Sequence, residues 1–178
     1  MDKDLEGLDH GFIEKCEIVL SRCKQQGFVL EPFFGLRTPW QQARLFRQSR
    51  STAVVNQEAE KLRKRGAPWL AGVLVSVGPQ KTAPWATNAL PGFSWHNYGL
   101  ALDCFVLEHG KAVWASEHPG YAAYAANSRL VGLEAGFYWP KLIRDAVHIQ
   151  APKKEVADTY SYDKIDKLMF DKFNGKGS

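Results

Sequence analysis

Cysteine is scarce in this 178-residue chain, and its three copies exclude a fully paired framework of intramolecular disulfides. Cys16 and Cys23 are seven residues apart, which is about two helical turns, so we expect them to share the buried face of one helix. Cys104 lies inside an apolar run. We therefore expect all three thiols to be reduced core residues, which is typical of a protein made in a reducing compartment.

Long hydrophobic runs are also missing. The longest apolar stretch, 70–77, is far shorter than the roughly 20 residues that cross a bilayer, so no membrane insertion is expected. The N-terminal residues Met1–Asp4 are acidic, and no apolar segment of a signal peptide follows them. These features predict a protein that is cytoplasmic at synthesis.

Neither charge nor low complexity dominates the sequence. Its 23 basic and 19 acidic residues give a net charge of +4, which is too small to indicate nucleic acid but suits an anionic cell wall or membrane surface. Apolar residues make up 45% of the chain, as in globular proteins, and no repeat or Pro/Ser-rich linker divides it. We expect one domain over residues 1–178.

Periodicity and end signals predict a mixture of helices and strands. Helical spacing of apolar residues and capping residues predict helices at 8–26, 39–48, 56–65, 119–135 and 163–173. Alternation and β-rich composition predict strands at 28–36, 72–77, 100–106, 112–114 and 146–150. Thr38, Pro39 and Gln41 form a predicted capping box, Pro32 marks a strand edge or bulge, and a long loop is expected to fill the rest of 67–91. Repeated βαβ units are absent, so the fold class is α+β, with a small antiparallel sheet flanked by helices.

Two short segments contain residues suited to metal chemistry. His96 precedes a turn at Asn97-Tyr98-Gly99, and Asp103 follows on a strand, on the face opposite its apolar neighbours. His148 lies on a later strand, and Asp145 precedes it by three residues. Two imidazoles and a carboxylate suit Zn²⁺ and leave a fourth position open for water, as in catalytic sites, with Asp145 as candidate general base.

Simpler interpretations of these residues remain open at this point. Each histidine could be a surface or hydrogen-bonded residue. His96 and Asp103 are seven residues apart and could lie on one exposed helix face, although Gly99 argues against a helix there.

The order and spacing of these residues resemble the M15 family of zinc peptidases, which has the Hedgehog/DD-peptidase fold. The match extends over about 28–150, and it includes 35–43 and 132–139 beside the two ligand segments. The residues that form the pattern are Ser94-x-His96-x-x-Gly99-x-Ala101-x-Asp103 and Asp145-x-x-His148.

The resemblance implies a role for each matching residue. His96, Asp103 and His148 would bind Zn²⁺, Asp145 would be the general base, and Arg37 would steady the substrate or the oxyanion. Without the resemblance, Arg37 would be interpreted as a surface residue in a salt bridge. Three further residues are candidate substrate contacts, although Ser94 could simply cap its loop and the two aromatic residues could be core: Ser94, Tyr98 and Trp139.

The family further implies a peptidase that hydrolyses peptidoglycan stem peptides. D-alanyl-D-alanine dipeptidases of the family generally have glutamate at the base position, whereas Asp145 is similar to the endolysin branch. We therefore expect a monomeric L-alanyl-D-glutamate endopeptidase of a bacteriophage endolysin, released to the wall by a holin. The alternatives are a D-alanyl-D-alanine carboxypeptidase and a non-catalytic binding domain, as in the Hedgehog relatives. Retention of Asp145 counts against the binding domain. The segment 51–86 matches nothing and is a candidate lid or subsite.

Overall fold

The computed structural model describes residues 5–80 and 86–175, so the predictions made for Met1–Asp4 and for part of 51–86 lie outside the described residues. The α-helices are α1 (His10–Gln25), α2 (Pro39–Arg47), α3 (Thr52–Lys64), α4 (Pro68–Ser76), α5 (Pro119–Leu130), α6 (Val156–Thr159) and α7 (Tyr162–Phe173). The strands are β1 (Val29–Phe34), β2 (Ala101–Glu108), β3 (Lys111–Val113), β4 (Glu134–Ala135) and β5 (His148–Gln150).

The chain folds into two compact units, and each is formed by two separate segments. The first unit runs to Leu36 and resumes over Tyr98–Lys153; the second comprises Arg37–Asn97 and the chain from Lys154 onward. The expectation of one domain over 1–178 stays a prediction.

The first unit is built on an antiparallel sheet in the order β1-β2-β5-β4, with β3 paired to β2. Helices α1 and α5 pack against each other and against this sheet. Buried side chains of both helices form one hydrophobic cluster with Leu102, Cys104 and Val106 of β2. Because successive side chains of a strand point to opposite faces, Asp103 and Phe105 lie on the other face of the sheet. The predicted α+β class, with a small antiparallel sheet and flanking helices, is confirmed.

The three cysteines are buried in this cluster and form no disulfide, as predicted. Burial raises the pKa of the Cys16 thiol to about 12, with a smaller contribution from the charge of Glu17. Burial also raises the pKa of Cys104 well above its usual range. Such thiols are weak nucleophiles, because the thiolate is the reactive form.

The second unit is helical, and it corrects the strand predicted at 72–77. Residues 72–76 belong to α4 and Val77 is its C-cap, so this helix also replaces the first part of the loop predicted for the rest of 67–91. Helix α4 packs against α2, α3 and α7. Leu70, Ala71, Val73 and Leu74 are all buried, so the segment is a short apolar run that does not distinguish a buried helix from a buried strand. The signal for a helix was Pro68, which occupies the first helical turn.

Helix α5 is shorter than the predicted helix at 119–135. It ends at Leu130, and Gly132 then adopts a positive φ of 72° while the Leu133 amide donates to the Ser128 carbonyl. This is a glycine helix stop, so Gly132 ends the helix and not Gly136. The freed residues Glu134–Ala135 become β4 and pair with β5. Helix α3 also differs, since it begins at Thr52 behind the N-cap Ser51.

The other predicted elements are confirmed. Thr38 and Gln41 form the capping box of α2, and the β1–β2 register shifts between Pro32 and Phe34 as a bulge would require. The short strand predicted at 112–114 and the helix predicted at 163–173 also form, as β3 and α7. No helix within 5–80 and 86–175 has the length and apolarity that crossing a membrane would need.

Candidate functional site

Asp103 and His148 face each other across two neighbouring strands. They are directly paired in the β2–β5 register, and both side chains are buried. Oδ1 of Asp103 lies 2.9 Å from Nδ1 of His148. Since Leu102 and Cys104 point into the hydrophobic cluster, the strand alternation places Asp103 on the opposite face, as the sequence predicted.

The second ring nitrogen of His148 is held as well. Its Nε2 lies 3.0 Å from Oε1 of Gln150, and Nε2 of Gln150 donates to Oε2 of Glu134 at 3.4 Å. The other oxygen of Glu134 accepts from the indole of Trp139 at 2.5 Å, and the ring of Trp139 lies 5.2 Å from that of His148. A chain of polar contacts therefore orients the His148 imidazole from the side away from Asp103.

The environment of His148 has two opposed effects on its charge. Burial lowers its pKa, because a charged ring loses its hydration, whereas the hydrogen bond and the negative charge of Asp103 raise it. The net result is a pKa above the usual value for histidine.

His96 lies on a short 3₁₀ helix, Trp95–Tyr98, and its side chain is buried. Its carbonyl accepts from the amide of Arg37, and the side chain of Asn97 ties the segment together by accepting from Gly92 and donating to the Arg37 carbonyl. Gly99 ends the segment with a positive φ of 75°, and a Cβ there would lie 2.6 Å from the Gly7 carbonyl oxygen. The predicted turn is therefore a 3₁₀ helix with a glycine that no other residue could replace without strain.

One ligand atom from each of His96, Asp103 and His148 lies within 4.8 Å of the others. All three side chains are buried. Two imidazole nitrogens and one carboxylate oxygen are the donor set of many catalytic zinc sites, so the residues present fit this metal.

Asp145 lies in the turn before β5 and is exposed. Its amide donates to the carbonyl of Gly136 at 3.1 Å, and its negative charge contributes to the raised pKa of His148. A Cβ on Gly136 would lie 2.5 Å from the carbonyl oxygen of Asp145, so the close approach of the two segments requires glycine at this position. An exposed carboxylate near a candidate metal ligand can exchange protons with water.

Arg37 directly precedes Thr38, the N-cap of α2. Its guanidinium Nη1 lies 3.4 Å from Oε1 of Gln42, a buried residue that also donates to the Ala89 carbonyl. Arg37 is only partly buried, and it stands next to the N-terminus of a capped helix, where the helix dipole also favours a negative group. This environment suits the predicted contact with an anion, which stays a prediction.

The remaining predicted contacts lie in different surroundings. Trp139 is half-buried, and its ring lies beside that of His148 at an interplanar angle of 41°. The backbone amide of Ser94 donates to the Asn97 side chain and its carbonyl accepts from the Asn97 amide at the start of the 3₁₀ helix, which agrees with a structural role. Tyr98 is the last residue of that helix and is half-buried. Sequence reasoning missed Gln150 and Glu134. Gln150 could have been found, because it follows His148 by two residues and so shares its face of β5.

A protein-family model matches residues 6–142, well over half of the chain, and its description is VanY, D-alanyl-D-alanine carboxypeptidase. The chain belongs to this family. The matched range includes His96 and Asp103 and ends before Asp145 and His148. The resemblance to the zinc peptidases is thereby confirmed: the protein is a peptidase of a peptidoglycan-acting family, with zinc as its cofactor.

Solved structures give weaker likenesses. The L-Ala D-Glu endopeptidase ChiX of Serratia marcescens is 17% identical, with a TM-score of 0.44 and 84% of each chain covered. A mutant of the vancomycin-resistance D,D-pentapeptidase VanY from a VanB-type cassette, in complex with Zn(II), is 15% identical, with a TM-score of 0.48 and coverage of 89% of this chain and 83% of the other. Neither likeness decides the scissile bond. No curated protein matched the sequence.

Proposed function

We propose that this protein is an L-alanyl-D-glutamate endopeptidase of the endolysin type, which cuts peptidoglycan stem peptides. The observation that carries the proposal is Asp145, an exposed aspartate three residues before His148, in the position where the family's D-alanyl-D-alanine dipeptidases generally have glutamate. Aspartate at this position resembles the endolysin branch.

The proposed zinc ligands are His96, Asp103 and His148, whose donor atoms are close together and buried. When bound, zinc supplies Lewis acidity that lowers the pKa of a coordinated water to about 7. Gln150 contacts Nε2 of His148 and holds the ring so that the other nitrogen, Nδ1, points toward the carboxylate of Asp103.

The proton transfers are assigned to Asp145. Its carboxylate accepts a proton from the attacking water and returns it to the nitrogen of the leaving amine, which is the general base and general acid sequence of a peptidase. Exposure of Asp145 supports this role, because the group must reach both the water and the substrate.

We assign to Arg37 the binding of a negatively charged group. This group is either the oxyanion that develops on the scissile carbonyl or a carboxylate of the stem peptide. The guanidinium is always charged and offers several donors, which suits either group. Three further residues are proposed substrate contacts, of which the ring beside His148 has the strongest support: Trp139, Tyr98 and Ser94.

A phage origin, a monomeric state and release through a holin complete the proposal. The net charge of +4 would give the enzyme a weak attraction to an anionic wall.

Two soluble peptides test the choice of bond. One contains the L-alanyl-D-glutamyl bond and ends before D-alanine, and the other ends in D-alanyl-D-alanine and begins with D-glutamate. The proposal expects cleavage of the first peptide, abolished by chelator and restored by Zn²⁺. The alternative is a D-alanyl-D-alanine carboxypeptidase, which the description of the matching family favours; it expects cleavage of the second peptide alone.

A further inference from the structure

Three aromatic side chains form a cluster on the sheet of the first unit. The ring centroid of Phe33 lies 5.0 Å from that of Trp114 and 6.1 Å from that of Phe105, and Phe105 lies 5.3 Å from Trp114. The rings come from the bulge of β1, from β2 and from the residue after β3. We call Phe33, Phe105 and Trp114 the aromatic platform.

The platform lies on the same face of the sheet as Asp103 and His148. Phe105 follows Asp103 by two residues on β2, so both side chains point to the same side. Strands β5 and β3 both pair with the same edge of β2, where His148 lies opposite Asp103 and Val113 lies opposite Val106. Because β2 and β3 are antiparallel, the residue after Val113, Trp114, lies opposite Phe105. The Phe105–Trp114 pair is thus the next same-face pair after Asp103–His148, about 7 Å farther along the strand.

The hydrophobic core does not account for the platform. The core of this unit lies on the other face, around Leu102, Cys104 and Val106. Trp114 is 55% exposed, whereas Phe33 and Phe105 are half-buried beside it. A contiguous aromatic surface left open to water next to a candidate active site is typical of a binding surface.

The spacing of the platform matches the chemistry of the proposed substrate. In peptidoglycan, L-alanine is joined to the lactyl group of N-acetylmuramic acid, so the L-alanyl-D-glutamyl bond lies one residue and one lactyl group from the sugar. At about 3.5 Å for each unit, this places the ring about 7 Å from the scissile bond. The D-alanyl-D-alanine bond lies three residues farther along the stem.

We propose that the aromatic platform is a saccharide subsite that binds the N-acetylmuramyl ring of the strand being cut. This inference rests on the proposed endopeptidase function and deepens it. The apolar C–H face of the pyranose packs on the indole of Trp114, as flat aromatic surfaces bury large apolar area. Glu31 pairs with Phe105 in the register and lies on the same face, where its carboxylate can accept from a sugar hydroxyl or acetamido N–H.

The test compares two substrates with the same scissile bond, one with and one without the sugar: N-acetylmuramyl-L-alanyl-D-isoglutamine and N-acetyl-L-alanyl-D-isoglutamine. For Trp114→Ala, we expect KM to rise at least tenfold on the muramyl substrate, with kcat unchanged and with unaltered kinetics on the sugar-free peptide. Leu130→Ala is the control, because Leu130 is also an exposed apolar residue, on α5. We expect this variant to leave KM and kcat unchanged on both substrates. An equal effect of Trp114→Ala on both substrates would overturn the subsite.

A binding measurement separates this inference from the proposed function. Glycan strands stripped of stem peptides by an amidase contain the sugar and no scissile bond. We expect them to bind the wild-type protein and to bind Trp114→Ala at least tenfold more weakly. If the wild-type protein cleaves neither muramyl nor sugar-free peptide yet binds these strands through Trp114, the subsite stands and the endopeptidase proposal fails. Equal binding by wild type and Trp114→Ala contradicts the subsite alone.

Discussion

Nδ1 of His148 lies 2.9 Å from Oδ1 of Asp103, while Nε2 of the same ring lies 3.0 Å from Oε1 of Gln150. The ring is thus fixed from both ends by residues of the sheet. The register of β2 and β5 determines these contacts, because it places Asp103 opposite His148 and Gln150 opposite Ala101. The candidate metal centre therefore depends on the pairing of β2 and β5 as much as on the ligands themselves.

The first prediction concerns the outer contact of His148. We expect Gln150→Leu to weaken zinc binding by about 10- to 100-fold, because loss of an outer hydrogen-bond partner frees the orientation and tautomer of a ligating histidine. Competition with a chromogenic chelator measures this affinity directly, without an assay of activity. Gln25→Leu, at an exposed position near the end of α1, is the matched control. Unchanged affinity in Gln150→Leu would show that the contact does not position the ring.

The second prediction separates the base from the ligands. Asp145→Ala should retain zinc and lose about 10²–10⁴-fold in kcat, which is the usual contribution of general acid–base catalysis. His96→Ala should lose zinc itself. Metal content by mass spectrometry and initial rates on the sugar-free peptide give the two readouts. Turnover by Asp145→Ala at the wild-type rate would remove Asp145 from the mechanism.

The third prediction uses two glycines in opposite surroundings. A Cβ on Gly136 would lie 2.5 Å from the Asp145 carbonyl oxygen, so Gly136→Ala should cost about 1–3 kcal/mol of unfolding free energy, the usual range for overpacking. Gly72 lies in α4, and within the described residues a Cβ there would meet nothing closer than 4 Å outside its own helix, so Gly72→Ala should stabilise by about 0.5–1 kcal/mol. Urea denaturation checks both signs, and a gain of stability in Gly136→Ala would contradict the close packing of these two segments.

The fourth prediction concerns the thiols. Because burial raises the pKa of Cys16 to about 12, less than about one molecule in a thousand has this thiolate at pH 8. All three cysteines are buried and free, so the native protein should react with a disulfide reagent at least 100-fold more slowly than the denatured protein. Rapid reaction of the native protein would mean that the α1–α5 layer opens readily.

Sequence patterns predicted those parts of the fold in which local signals agree. The capping box at Thr38 and Gln41 depends only on neighbouring residues, and it forms as predicted. Two predictions failed because tertiary context decided them. The apolar run at 72–77 fits a buried strand or a buried helix equally, and β4 exists only because β5 lies beside it.

The candidate site was predicted to a similar extent. The family resemblance implied His96, Asp103 and His148 as zinc ligands. One ligand atom from each lies within 4.8 Å of the others, and their role as ligands stays a prediction. The contacts of Gln150 and Glu134 depend on strand register, and a single sequence does not specify which residues of β4 and β5 are paired. The aromatic platform was missed for the same reason, because only the register of β1, β2 and β3 brings Phe33, Phe105 and Trp114 together.

Mass spectrometry of purified peptidoglycan, digested with and without chelator, tests the central claim most directly, because the new chain ends identify the bond that was cut. We expect muramyl-L-alanine with a free carboxyl group and stem fragments that begin with D-glutamate, both absent when zinc is removed. Release of free D-alanine alone, with the L-alanyl-D-glutamyl bond intact, would contradict it.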